Sequence, residues 1–96
     1  MTVKENLKKI DDFQDKSLLI VDDDNPFRDR LSRAMEKKGF IVTQAESVKK
    51  GIENVKLKKP TFAVVDLRLG DGSGLEVVKE IKSSNDASKD SRIIVL

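Results

Sequence analysis

The chain has 96 residues, 38% of them apolar and 38% charged, with a net charge of +2. Those figures describe one small domain, too apolar for disorder and without any run near the roughly 20 apolar residues that span a bilayer. The absence of cysteine and histidine excludes disulfides, thiol redox chemistry, imidazole bases and Cys/His zinc sites, and so mild a charge makes no case for nucleic-acid binding.

Residues 1–16 are polar and charged, with Val3, Leu7, Ile10 and Phe13 spaced loosely along one helical face. They read as a lead-in, short and helical, to a domain over 17–96. Lys4, Glu5, Lys8 and Lys9 stand where a secretory signal needs an apolar core, so a cytoplasmic location is expected. Lys16 to Asp22 is predicted as the first strand, centred on the apolar run Leu18-Leu19-Ile20-Val21. Asn25 then serves as N-cap, and Pro26 opens a helix with Phe27, Leu31, Ala34 and Met35 on its inner face. Gly39 ends that helix, with Lys37 and Lys38 near the negative end of its dipole.

Phe40 to Ala45 is the second strand, β-branched at its centre. Ser47 caps a second helix that turns Val48, Ile52 and Val55 inward and leaves Lys49, Lys50, Lys56, Lys58 and Lys59 wet. Thr61 to Asp66 is the third strand, and its unbroken apolar run Phe62–Val65 predicts burial on both faces. A turn rich in glycine follows, through Gly70, Gly72 and Gly74, before a third helix marked by Leu75, Val78 and Ile81. Residues 83–90 form a polar loop, and Arg92 to Leu96 is a fourth strand. The βαβαβαβ alternation means an α/β fold, a parallel sheet with helices on its faces and right-handed crossovers.

Two of these strands end in acid. Asp22-Asp23-Asp24 closes the first and Asp66 the third, 44 positions after Asp22 and 43 after Asp23. Were the two strands neighbours, about 4.8 Å apart, their carboxylates would converge at the carboxyl edge, where open α/β sheets place ligands. Carboxylates that close repel one another unless one is protonated or a cation sits between them. An oxygen-only set favours Mg²⁺ over zinc or copper. A carboxylate beside a hard cation is also the arrangement for an aspartyl nucleophile attacking a phosphoryl group. Asp24, next to Asn25-Pro26, reads as a charge at the helix start rather than a metal ligand.

The strand ending Val21-Asp22-Asp23-Asp24, the strand ending Val64-Val65-Asp66 and the Gly74-Leu75-Glu76 that follows resemble the receiver domains of two-component response regulators. The resemblance covers residues 17–96. Its wording is most similar to the redox-responsive global regulators of the ActR/RegA/PrrA type. It implies a flavodoxin-like (CheY-like) doubly wound parallel sheet with the site between strands one and three. By position it makes Asp66 the phosphoacceptor, Asp23 a direct Mg²⁺ ligand and Asp22 a ligand acting mostly through water. The backbone carbonyl of Arg68 completes the protein's share. It further implies a sensor histidine kinase as partner and control of transcription. DNA would be bound only through a C-terminal helix-turn-helix domain outside this sequence. The family's Ser/Thr after strand four and Lys ending strand five fall beyond Leu96. The expectation is therefore a receiver of order 2-1-3-4, cut short before its fifth strand and last two helices. Such a chain is a phosphoacceptor rather than an enzyme. Its fourth strand would expose Ile93, Ile94, Val95 and Leu96 along an edge that invites a homodimer or other self-association.

Two other classes compete. Asp22-x-Asp24 after an apolar strand is also the opening motif of haloacid-dehalogenase-like phosphatases, with Asp22 as nucleophile and Asp24 as acid. Asn25-Pro26 and the short chain speak against that. The other alternative is a receiver-like interaction fragment without phosphoryl chemistry.

Overall fold

The computed structural model describes residues 15–83 and 90–96. Four parallel strands form the sheet: β1 (Ser17–Val21), β2 (Ile41–Ala45), β3 (Phe62–Val65) and β6 (Arg92–Val95), in the order β2-β1-β3-β6. This is the 2-1-3-4 order that the resemblance implied. The connecting helices are α1 (Asn25–Lys37), α2 (Val48–Leu57) and α3 (Leu75–Ser83). The turn after β3 is more ordered than expected. It folds into a small antiparallel hairpin of β4 (Arg68–Leu69) and β5 (Gly72–Ser73). The lead-in helix over 1–14 and the loop over 84–89 lie outside the described residues.

The helices begin and end where short-range chemistry puts them. Ser47 caps α2, its Oγ accepting the Lys50 N–H at 3.1 Å. For α1 the N-cap is Asp24, whose Oδ1 accepts the Phe27 N–H at 3.1 Å, so Asn25 lies inside the helix rather than capping it. Both residue types cap well, and proline is at home throughout the first turn, so the one-residue shift has no local cost. Gly39 leaves α1 with φ of +100°, which L side chains resist.

Leu19 and Val21 of β1, with Ala63 and Val65 of β3, pack under Val48 and Val55 of α2 and Val77, Val78 and Ile81 of α3. Leu75 faces water instead, half exposed, because α3 turns Val77 rather than Leu75 onto the sheet. Among the described residues, the other face is covered only by α1. Leu18 and Ile20 are buried there, but Phe27, Leu31 and Met35 are only half-buried and Ala34 is exposed. The residue of α1 that is fully buried is Ser32, its Oγ donating to the Arg28 carbonyl at 2.8 Å. β3 accordingly alternates: Ala63 and Val65 are buried while Phe62 and Val64 are half-buried. Its apolar run predicted two covered faces, and one helix does not cover the second. A groove lined by Leu18, Met35, Phe40, Phe62, Val64 and Ile94 stays open beside α1, with Phe40 set edge-on to Phe62 at 5.1 Å.

Gly51 sits inside α2 where propensity alone favours alanine by about 1 kcal/mol. A Cβ there would lie 2.9 Å from Val77 Cγ2 and 3.3 Å from Val21 Cγ2. Valine is stiff at χ1, and overpacking costs about 1–3 kcal/mol. Gly51→Ala is therefore expected to lower the urea midpoint. A rise would mean that α2 and α3 are not in close contact at this point.

Candidate functional site

The pairing of β1 runs one residue past the strand ends, to Asp66 on the β3 side and from Asp22 to β2 on the other. Val21 lies opposite Val65, the Asp66 N–H donates to the Val21 carbonyl at 2.9 Å, and the Asp22 N–H donates to the Ala45 carbonyl at 3.1 Å. Asp22 and Asp66 therefore leave the sheet side by side, and Asp23 follows on the same rim. One oxygen from each of Asp22, Asp23 and Asp66 lies within 4.8 Å of the others. Their settings differ: Asp22 is 5% exposed, Asp66 half-buried and Asp23 open to water.

Backbone donors hold these carboxylates. Asp22 Oδ1 accepts the Asp24 N–H at 2.8 Å, and Asp66 Oδ1 accepts the Arg68 N–H at 3.1 Å. Arg28 approaches the group without neutralising it. Its Nη1 donates to the Asp22 main-chain carbonyl at 2.6 Å and its Nε to Gln44 Oε1 at 2.9 Å. None of the ion pairs among the described residues involves the three acids. Burial pushes the Asp22 carboxyl above its ordinary range; the Asp24 N–H opposes the shift, and the charges of Asp66, Asp23 and Asp24 add to it.

Such a group fits a small divalent cation. Oxygens on opposite sides of Mg²⁺, each about 2.1 Å from it, are about 4.2 Å apart. One oxygen of each acid lies within 4.8 Å of the others, close enough for the three to face a single ion. Asp24 is a cap, as described above, with its Oδ1 taken by the Phe27 N–H. Asp24 thus serves α1 rather than the group of three acids.

The loop after Asp66 is closed by Gly74, whose N–H donates to the Leu67 carbonyl at 3.0 Å. A Cβ on Gly74 would overlap the Asp66 carbonyl oxygen and lie 2.8 Å from Val65 Cγ1. Only glycine lets α3 start so near the acidic rim. Sequence reasoning singled out Asp22, Asp23, Asp66 and Arg68, and the fold brings the three acids together with Arg68 next to Asp66. It missed Arg28 and Asp71, which bond across 16 and 23 positions to Gln44 and Val48. Helical or strand periodicity carries no signal for such contacts.

Residues 18–96 match the family model described as the response regulator receiver domain. The acid tolerance regulatory protein ActR of Sinorhizobium medicae is 58% identical over 82 residues, 85% of this chain and 41% of that protein. The photosynthetic apparatus regulatory protein RegA of Cereibacter sphaeroides is 50% identical over 82 residues, 85% of this chain and 43% of that protein. The chain thus spans less than half the length of these curated relatives. Among solved structures, a Burkholderia pseudomallei response regulator with a phosphorylated aspartic acid, calcium ion and citrate superposes with a TM-score of 0.74 at 33% identity. That match covers 84% of this chain and 46% of the other.

The raised Asp22 pKa has a sign that can be tested. A carboxyl that holds its proton more tightly folded than unfolded costs stability as pH rises from 3.8, its ordinary value, through the raised one. Asp22→Asn keeps an oxygen for the Asp24 N–H and removes the charge. In metal-free buffer it should melt above the unsubstituted chain at neutral pH, with the gap closing as pH falls toward 3.8. Equal melting temperatures at neutral pH would show that the charge is not strained.

Proposed function

We propose that this chain, which belongs to the response regulator receiver domain family, accepts a phosphoryl group on Asp66 from a sensor histidine kinase. The observation that carries this reading is the convergence of Asp22, Asp23 and Asp66 within 4.8 Å at the carboxyl edge between β1 and β3. Asp66 is the acceptor because it is the more open of the two strand-end acids, and the Arg68 N–H on Oδ1 fixes its rotamer. Its other oxygen then attacks phosphorus as the P–N bond to the donor imidazole breaks, forming an acyl phosphate and returning the electron pair to the ring.

Asp22, Asp23, Asp66 and the backbone carbonyl of Arg68 would hold Mg²⁺. Bound there, the ion would neutralise the carboxylates and the charge on the transferring oxygens. The Burkholderia pseudomallei relative, with its phosphorylated aspartic acid and calcium ion, supports both parts. We take the receiver to begin at residue 17, to act in the cytoplasm, and to control transcription through a DNA-binding output domain; the similar KDP operon transcriptional regulatory protein KdpE of Escherichia coli supports the role in transcription. No helix among the described residues is long and apolar enough to cross a membrane.

A small phosphodonor such as acetyl phosphate should label the chain in Mg²⁺ and fail to label Asp66→Asn. Amide shifts around Asp66 should move with millimolar Mg²⁺, and Asp23→Asn should weaken that response most among Asp22, Asp23 and Asp24. Label that survives Asp66→Asn but disappears in Asp22→Asn would reverse the assignment of the nucleophile.

β6 lies at the sheet edge with Ile94 61%, Val95 42% and Leu96 52% exposed. We further propose that the 96-residue chain self-associates through this edge. Light scattering should show mass rising with concentration, and Ile94→Lys should restore the monomer. A monomer at every concentration overturns the proposal.

A further inference from the structure

The hairpin that follows Asp66 is tied to a helix it does not belong to. Asp71, at the tip between β4 and β5, places Oδ1 2.9 Å from the Val48 N–H and Oδ2 3.1 Å from the Lys49 N–H. Those are the first two N–H groups of α2, which have no partner inside a helix. Ser47 takes the third, its Oγ accepting the Lys50 N–H, and its carbonyl accepts the Gly51 N–H as the first bond of the helix itself. Two of the open donors at this end of α2 are thereby taken by a residue 22 and 23 positions away. The hairpin also rests on the helix: a Cβ at Gly72 would lie 3.6 Å from Val48 Cγ2.

The pairing of Arg68 with Ser73 and of Leu69 with Gly72 transmits this anchor down the hairpin to Arg68. Arg68 in turn donates its N–H to Asp66 Oδ1. We infer that Asp71 is a positioning residue for the acidic site: by holding the hairpin on the N-terminus of α2 it fixes Arg68, and through Arg68 the carboxylate of Asp66, where a divalent cation meets them. The inference rests on the Mg²⁺ reading proposed above. The plain alternative is that Asp71 is a long-range helix cap, contributing to the stability of α2 and nothing else.

Ser47 separates the two. Ser47→Ala removes a cap from the same helix end without touching the hairpin, whereas Asp71→Ala removes both hairpin bonds. Asp71→Asn keeps one acceptor oxygen and serves as the milder variant should alanine fail to fold. Mg²⁺ alone is the probe, titrated by amide NMR at a temperature where each variant is folded, with acetyl phosphate labelling of Asp66 as second readout. Residues that orient metal ligands typically account for 10–100-fold in affinity. The expected result is about a tenfold loss of Mg²⁺ affinity for Asp71→Ala, a smaller loss for Asp71→Asn, and less than twofold for Ser47→Ala. Equal losses in Asp71→Ala and Ser47→Ala, or none in either, reduce Asp71 to a cap. If the unsubstituted chain itself binds no Mg²⁺, the metal reading fails, and this inference with it.

Discussion

Parallel pairing of β1 with β3 sets Val21 opposite Val65, so the chain releases Asp22 and Asp66 at the same height on the sheet edge. That register is not free to drift. Leu19, Val21, Ala63 and Val65 all point into the core beneath α2 and α3, and a one-residue slip would turn each of them to the opposite face. Apolar packing several residues away therefore fixes the spacing of the carboxylates. An acidic site that repels itself is held together by residues that carry no charge.

The repulsion is left standing. Nearby groups that could relieve it are committed elsewhere: Arg28 to the Asp22 carbonyl and Gln44, and the N–H groups of Asp24 and Arg68 each to one carboxyl oxygen. These bonds orient the acids without cancelling their charge; the Asp22 pKa is raised first by burial, and the neighbouring carboxylates add to the shift. A protein salt bridge at this point would stabilise the empty site and compete with a cation for the same oxygens. Left without an ion pair, the three acids would keep their oxygens available to a divalent ion.

Much of this was legible because it is local. Apolar runs, glycine stops and acids at strand ends located the four main strands, the three helices and the acid cluster. Their convergence needed the strand order, which periodicity does not encode; here it came from the resemblance to receiver domains. The misses are of two physical kinds. One is degeneracy: Asp24 and Asn25 are both good caps, and in the nine residues of α3 the set 75, 78, 81 is nearly as helical as 77, 78, 81. The other is distance: the bonds from Arg28 to Gln44 and from Asp71 to Val48 and Lys49 join side chains to partners that only the folded chain brings near. The hairpin of β4 and β5 was read as a turn because two-residue strands are too short to show alternation.

The two faces of the sheet are unequal, and the site leans on the better packed one. Asp66 and Arg68 are braced from the α2–α3 side, by the close approach of Gly74 and by the hairpin seated on Val48. On the other side the Asp22 main chain is held by Arg28, from a helix whose apolar residues are half-buried or exposed beside an open groove. A cation that drew the three carboxylates together would have to move something. Tight packing resists such movement and loose packing yields to it. The contraction should therefore be taken up on the β1 side, through Asp23 and the start of α1, while Asp66 stays where the core holds it.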